Sequence, residues 1–269
     1  MLKPLFFDLD SLFFLAISVL IHNFVAKVVE KTKISSKNDD FFVFLHQEMK
    51  KLIYNKFDKP TIATLRRVDY KGKIVVINSP AEAETAVDYL LAQSVLGLDT
   101  ETRPSFTKGK HYKCALLQVA NQSICFLFRL NYIGMCPAVA RLLGDKTVTK
   151  VGLAWKNDLL SLRELGEFQP GSFVDLQDMV RELGIEDQSL VKIYANLFGE
   201  RISKADRLSN WERDILKDTQ KVYAAIDAWA CVRIYEEVLR LKESGDYELV
   251  VREEENKQEH DETDISETR

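Results

Sequence analysis

One eight-residue stretch, Val95–Thr102 (VLGLDTET), constrains this chain more than any other. Its apolar first half predicts a buried strand, and its second half contains two carboxylates one residue apart. Because side chains alternate along a strand, Asp99 and Glu101 point to the same face, roughly 6–7 Å apart along the chain. Two like charges at that spacing repel each other, and a divalent cation bound between them removes the repulsion. The stretch therefore indicates either a metal site or a strand that ends in an ordinary polar turn.

The segments around this strand follow a regular order. Residues 73–78 predict a short β-branched strand, and Ser79 is a plausible N-cap for a helix that runs to Gln93. Residues 114–120 and 123–130 predict a hairpin. Further along, we expect strands over 147–154 and 173–176, and helices over 137–143, 155–165, 187–199, 211–216 and 219–242. This order predicts an α/β domain with a mixed central sheet flanked by helices.

The composition divides the chain into three parts. We expect an N-terminal extension over 1–48, a domain over 49–245 and an acidic disordered tail over 246–269. The apolar run in the extension is too short for a comfortable membrane span, so it indicates peripheral anchoring or residues upstream of a start at Met49. Residues 252–269 contain eight acidic and three basic side chains and no aromatic residue, so this stretch cannot bury a core.

The cysteines indicate a reducing compartment. The chain has four, and they show neither Cys-x-x-Cys pairing nor a nearby histidine at zinc spacing: Cys114, Cys125, Cys136 and Cys231. We therefore expect free thiols, no zinc site and a cytoplasmic protein without stable membrane association.

Two later clusters add carboxylates. Asp158 lies in the first turn of the helix after an apolar strand, where it could serve a site at the sheet edge or only favour the helix dipole. Tyr223 and Asp227 are four residues apart on one face of an otherwise apolar helix. A buried aspartate needs a partner or a metal, so Asp227 indicates a metal ligand or a hydrogen bond to its tyrosine neighbour.

Together these residues resemble the three exonuclease motifs of the DEDD 3′–5′ exonucleases, a superfamily that includes ribonuclease D and the exonuclease domain of the Werner syndrome helicase. The resemblance covers roughly residues 73–241 and implies a ribonuclease H-like fold. It extends to Arg103-Pro104, Leu116-Leu117-Gln118-Val119, Lys150-Val151-Gly152 and Ser209-Asn210-Trp211. Another branch of the superfamily has a histidine five residues before the final aspartate, where this chain has Val222. The chain, with Tyr223 four residues before Asp227, therefore resembles the tyrosine subtype.

The resemblance also implies roles for individual residues. The metal ligands would be Asp99, Glu101, Asp158 and Asp227, holding two ions of Mg²⁺ or Mn²⁺, which carboxylate-only ligation suits. Tyr223 would orient the attacking water, because an ordinary tyrosine pKa near 10 makes it a poor base at neutral pH. Substrate contacts are expected from Thr100, Lys204 and Arg207, and the basic loop at 108–113 could follow phosphates. Trp211 is expected to be a packing residue.

These roles predict a metal-dependent 3′–5′ exonuclease that acts on a single-stranded 3′ end and releases nucleoside monophosphates. The partner is nucleic acid, with DNA favoured over RNA. The first alternative is a ribonuclease D-like exoribonuclease. A second alternative, from a different class, is an inactive nucleic-acid-binding module on the same fold, whose expected mark is the loss of one or more metal carboxylates. This chain retains all four.

Overall fold

The computed structural model describes residues 50–252. The predicted extension over 1–48 and most of the predicted tail lie outside the described residues. In chain order, the elements of the described part are β1 (Lys51–Tyr54), α1 (Lys59–Thr64), β2 (Arg66–Arg67), β3 (Lys73–Ile77), α2 (Pro80–Leu90), β4 (Val95–Thr102), β5 (Cys114–Ala120), β6 (Ile124–Phe128), α3 (Leu130–Ile133), α4 (Pro137–Gly144), β7 (Thr149–Gly152), α5 (Trp155–Arg163), β8 (Phe173–Asp175), α6 (Leu176–Arg181), α7 (Leu190–Phe198), β9 (Glu200–Arg201), α8 (Asp218–Ser244) and β10 (Tyr247–Val250).

A six-stranded mixed sheet forms the centre, in the order β3-β6-β5-β4-β7-β8. Strand β5 runs antiparallel to both β4 and β6, whereas β4, β7 and β8 run parallel to one another. The predicted α/β class with a mixed central sheet flanked by helices is confirmed. The predicted N-cap is also present, since Ser79 forms a capping box with Glu82 at the start of α2.

Helix α8 covers one face of the sheet and approaches β4 at a glycine. A β-carbon added to Gly97 would lie 2.0 Å from the carbonyl oxygen of Ala228, so only glycine permits this approach. The two faces of β4 belong to different core clusters: Leu98 packs on one side, with α2 and α4, and Leu116 of the neighbouring strand packs on the other, with α8. Asp99 and Glu101 lie on the α8 side because they alternate with Leu98.

The segment 211–216 does not form the predicted helix. Side-chain groups bind the backbone groups that a helix would use: Arg129 donates from its two terminal nitrogens to the carbonyl oxygens of Arg213 and Asp214, at 2.5 and 3.2 Å. The hydroxyl of Tyr132 also donates to the Asp214 carbonyl, at 3.2 Å. The segment is therefore an ordered turn, buried at Trp211, as predicted for a packing residue.

Two short parallel strand pairs lie outside the central sheet. Strand β1 pairs with β10, with Lys51 opposite Tyr247, and β2 pairs with β9. The predicted tail began at residue 246, but residues 247–250 form β10, because pairing with β1 and packing of Leu249 against Gly184 order them.

All four cysteines are buried and free. Among the helices of residues 50–252, none combines the length and the apolar character needed to cross a bilayer.

Candidate metal centre

Strand β4 and helix α8 bring three carboxylates together. Each of Asp99, Glu101 and Asp227 offers an oxygen, and these oxygens all lie within 4.8 Å of one another. The strand supplies two of them from one face, and the close approach of α8 at Gly97 brings the third onto the same face. Three predicted metal ligands from two distant segments thus share one site.

The fourth predicted ligand, Asp158, lies beside this trio and not within it. Strand β4 is paired with β7 only as far as Gly97, so its edge is open at Asp99 and beyond. Helix α5 starts there after a left-handed turn at Ala154 (φ 57°), and Asp175 accepts hydrogen bonds from the Ala154 and Trp155 amides, at 3.1 and 3.2 Å. This turn places Asp158 against the open edge of β4.

The hydroxyl of Thr100 donates a hydrogen bond to Asp158, at 2.5 Å. Thr100 alternates with Asp99 and Glu101 along β4, so its side chain leaves the strand on the opposite side. The substrate contact expected from Thr100 stays a prediction. The hydroxyl holds Asp158 in position at the edge of the site.

Tyr223 lies one helical turn before Asp227, and its hydroxyl is close enough to that carboxylate to lower the pKa of Asp227 against the effect of burial. Its ring packs on Trp211, with ring centroids 6.0 Å apart. The turn containing Trp211 is fixed to α8 by Gln220, whose amide donates to the Ser209 hydroxyl at 2.8 Å and to the Asn210 carbonyl at 3.2 Å. The Ser209-Asn210-Trp211 motif therefore supports the phenol.

Burial raises the pKa of every acid at the site. Burial raises the pKa of Asp99, and the neighbouring charges of Asp227 and Asp158 raise it further. Burial and the charge of Asp99 raise the pKa of Glu101 to about 10, against the opposing charge of Arg207. Burial also raises the pKa of Asp158 and Asp227, and hydrogen bonds from Thr100 and Tyr223 partly offset this.

The pKa of the Tyr223 phenol is raised as well. Burial, followed by the charge of Asp227, raises the pKa of Tyr223 well above its ordinary value. Tyr223 is therefore a neutral hydrogen-bond donor across the physiological pH range, which agrees with an orienting role and not with that of a base.

A cavity of about 190 Å³ opens onto the site. Its lining includes Asp99, Asp227 and Tyr223 together with the predicted substrate residues Lys204 and Arg207. The basic loop that follows β4 is exposed over residues 105–111. An anion that entered the cavity would meet both cations and carboxylates.

The donor set suits a hard divalent cation. It consists of carboxylate oxygens only, at a mutual spacing that one ion can span, and burial and mutual repulsion disfavour the ionised forms of Asp99 and Glu101. A cation bound among Asp99, Glu101 and Asp227 would supply positive charge and favour the ionised acids.

Gln118, which belongs to the Leu116-Leu117-Gln118-Val119 motif, has no role predicted from the sequence. Gln118 lies directly opposite Asp99 in the β4–β5 register and is fully buried. Neither atom of its side-chain amide has a hydrogen-bond partner in the described part of the chain. Cys231, another residue without a predicted role, lines the cavity one turn after Asp227. Only the strand register could have revealed Gln118, and the sequence does not encode that register locally.

Comparisons with known proteins agree with this geometry. Residues 74–241 match a protein-family model described as 3′-5′ exonuclease. The mouse protein "Bifunctional 3'-5' exonuclease/ATP-dependent helicase WRN" is 30% identical over 168 residues, which cover 60% of this chain and 12% of the mouse protein. This chain spans less than two thirds of the length of such curated relatives.

Solved structures show the same fold. The Aedes aegypti Nibbler EXO domain superposes with a TM-score of 0.58 at 20% identity, covering 66% of this chain and 93% of that domain. Escherichia coli RNase D, described as an exoribonuclease involved in structured RNA processing, superposes with a TM-score of 0.57 at 19% identity, covering 65% of this chain and 46% of RNase D. The predicted ribonuclease H-like fold is confirmed.

Proposed function

We propose, because this chain belongs to the 3′–5′ exonuclease family of the DEDD superfamily, that it removes nucleoside monophosphates from the 3′ end of a nucleic-acid strand by metal-dependent hydrolysis. One observation supports this more than any other. Asp99, Glu101 and Asp227 offer oxygens within 4.8 Å of one another, and Asp99 and Asp227 line a cavity that a neutral phenol and two cations also line.

In this proposal each carboxylate has a distinct place. Asp99, Glu101 and Asp227 hold the cations, and Asp158, fixed by Thr100, supports a second and looser position beside them. Divalent cations at such a centre activate the attacking water and stabilise charge on the phosphate and on the leaving 3′ oxygen. Mg²⁺ or Mn²⁺, two ions in all, suit oxygen-only ligands.

Tyr223 orients the attacking water in this scheme, as in the tyrosine subtype. Its raised pKa keeps the proton on the phenol, so it can donate to Asp227 and accept from a water at the same time. Lys204 and Arg207, which line the same cavity, bind the phosphate of the terminal nucleotide.

We favour DNA as the substrate, since the Ser209-Asn210-Trp211 motif resembles that of the Werner-type enzymes. RNA is the second candidate, because RNase D has the same fold and is described as an exoribonuclease. We also infer a cytoplasmic location, which four buried free thiols suit.

The test uses 5′-labelled single-stranded DNA, recessed duplex DNA and single-stranded RNA side by side, with Mn²⁺ or with EDTA. We expect stepwise shortening from the 3′ end with Mn²⁺ and none in EDTA. Asp227→Ala should lower the rate by several orders of magnitude while leaving the protein folded. Shortening that continues in EDTA, or a rate that Asp227→Ala leaves largely intact, contradicts the proposal. No shortening of any substrate favours the inactive binding module.

A further inference from the structure

A second cavity, of about 380 Å³, adjoins the carboxylate cavity. Helix α1, the start of α7 and residues 201–204 line it. Ser189, Val191 and Lys204 belong to the walls of both cavities, so the second opens beside the metal centre. We call the second cavity the basic groove, because it is lined by Lys59, Ile62, Ala63, Ser189, Val191, Lys192, Arg201, Ile202, Ser203 and Lys204.

The charge of the groove has one sign. Four of its lining residues are cations, and no carboxylate is among the described residues that line it. Lys192 is paired with Asp187 at 2.7 Å, outside the lining. Lys59 and Lys204 are exposed, and neither side chain is bonded to another group within residues 50–252. Unneutralised cations gathered in a concave surface attract anions.

The wall formed by α1 is held in place. The Arg201 Nε donates to the carbonyl oxygen of Leu65, at 2.9 Å, and strand β2 then pairs with β9. Asp58 caps the start of α1 by accepting from the Thr61 amide, at 2.8 Å. Helix α1 also precedes residues 74–241, the range that the family model matches. The groove therefore combines a segment outside that match with the loop that borders the metal centre.

We propose that the basic groove binds the phosphodiester backbone of the substrate strand, at the nucleotides that precede the terminal one. This inference rests on the proposed function and extends it. A strand presents one negative charge per nucleotide, which suits cations spread over α1, α7 and the 201–204 segment. A released nucleoside monophosphate has a single phosphate group and would leave most of these cations unpaired. Proteins that bind single strands without sequence preference use such a charged groove to follow the backbone.

Replacing Lys59 tests the proposal, because this side chain is exposed and belongs to the groove but not to the carboxylate cavity. The full chain with Lys59→Ala is compared with the unchanged protein for filter binding of oligothymidylate in EDTA, over a series of salt concentrations. We expect about 3- to 10-fold weaker binding, and a salt slope of log K that is smaller by about 0.7, the value for one lost phosphate contact on a single strand.

Lys146→Ala is the matched control. Lys146 is exposed and precedes β7, at the end of the sheet opposite Asp99 and Glu101, which follow the last β4–β7 pair. Binding to this variant should match that of the unchanged protein.

Equal salt slopes for Lys59→Ala and Lys146→Ala would overturn the proposal. A second result would also overturn it: a Lys59→Ala variant that loses affinity for thymidine monophosphate but keeps its affinity for the oligonucleotide. In that case the groove binds the released product and not the strand. The proposed function fails by a different measurement, the absence of hydrolysis by the unchanged protein. That result does not alter the binding comparison, which is made in EDTA.

Discussion

At the scale of single residues, the centre combines acids that repel one another with neighbours that fix their positions. Thr100 holds Asp158, and Tyr223 holds Asp227 while its own ring rests on Trp211. The acids keep raised pKa values as long as no cation is present. Such crowding destabilises the metal-free fold, and it is the feature that prepares the site for a divalent ion.

Tyr223→Phe separates orientation from metal binding. The change removes the hydroxyl but keeps the ring that packs on Trp211. We expect the hydrolysis rate to fall by about 10²- to 10⁴-fold, the range for a positioned proton-transfer or water-orienting group, with little change in Mn²⁺ affinity. Single-turnover kinetics and Mn²⁺ titration by electron paramagnetic resonance measure the two effects. Unchanged turnover would remove the proposed role of the phenol.

The stability of the metal-free protein should fall as the pH rises. The folded pKa values of Asp99, Glu101 and Asp227 lie above their ordinary values, so the folded state binds protons more tightly than the unfolded state. Their stabilising effect is complete below the ordinary pKa values, 3.8 for the aspartates and 4.5 for Glu101, and is lost as the pH rises, up to about 10 for Glu101. In EDTA, the melting temperature should therefore decrease between about pH 6 and pH 9.

One added ion and one substitution check this explanation. Mn²⁺ binds the ionised acids, so its presence should remove the decrease or reverse it. Glu101→Gln lacks one of the titrating groups and should show a smaller decrease in EDTA. A melting temperature that rises with pH in EDTA, or an equal decrease in Glu101→Gln, would contradict the role of these carboxylates.

Gln118 and Gln220 form a matched pair for a stability measurement. Both are fully buried, but the side chain of Gln118 lacks hydrogen-bond partners in the described part of the chain. The side chain of Gln220, in contrast, donates to Ser209 and Asn210 and accepts from the Lys217 amide at 3.0 Å. Gln118→Met should leave the free energy of unfolding in EDTA unchanged or raise it by about 1 kcal/mol. Gln220→Met should lower it by about 2 kcal/mol or more. Equal losses in urea denaturation would show that Gln118 is hydrogen-bonded.

At the scale of elements, the approach of α8 to β4 decides whether the carboxylates meet. The sequence predicted both elements well, because each has a clear pattern: an apolar run that leads into the two carboxylates of β4, and an apolar face along 219–242. It also predicted, through family resemblance, that Asp99, Glu101 and Asp227 converge. It did not predict that Thr100 binds Asp158 or that Gln118 faces Asp99, because both follow from the register and edge of a sheet whose strands are distant in sequence.

The prediction of a helix over 211–216 was wrong for a related reason. Its local pattern is compatible with a helix, but Arg129 and Tyr132 bind the carbonyl oxygens of Arg213 and Asp214. These donors lie more than eighty residues earlier in the chain, so no local window contains them. Tertiary hydrogen bonds have here replaced the local preference.

Gly97→Ala tests the approach of α8. The new β-carbon would lie 2.0 Å from the Ala228 carbonyl, so the helix must move away and displace Asp227, the preceding residue. We expect the free energy of unfolding to fall by about 3 kcal/mol and Mn²⁺ affinity to be lost. Gly245→Ala, at the end of the same helix with φ of 68° and open space around it, should cost only about 1 kcal/mol and retain Mn²⁺ affinity. Normal Mn²⁺ binding by Gly97→Ala would contradict this account.

At the scale of the whole molecule, the segments outside the family match complete the domain. Strand β1 precedes residue 74 and β10 follows residue 241, and the two pair in parallel beside α8. Ile53 of β1 is fully buried in the core cluster that contains α8. No sequence pattern predicted this pair, because short strands about 200 residues apart give no local signal of their pairing.

Truncation measures what β10 contributes. A chain that ends at Gly245 loses β10 and the contact of Leu249 with Gly184, whereas a chain that ends at Arg252 keeps both. We expect the shorter chain to lose about 2 kcal/mol of unfolding free energy, since the apolar side chains of β10 are half-buried and a fully buried one contributes about 1.5–3 kcal/mol. Chemical denaturation of the two chains checks this. Equal midpoints would show that β10 adds nothing to the domain.

The contact between Trp211 and Tyr223 has a practical consequence. An indole ring 6.0 Å from the phenol senses any displacement of that ring through its ultraviolet emission. Trp155 and Trp229 emit as well, so replacing both by phenylalanine would leave a protein with one intrinsic optical reporter at its centre. Stopped-flow recordings of that reporter would follow the arrival of the ions and of the strand as separate events, without any attached dye.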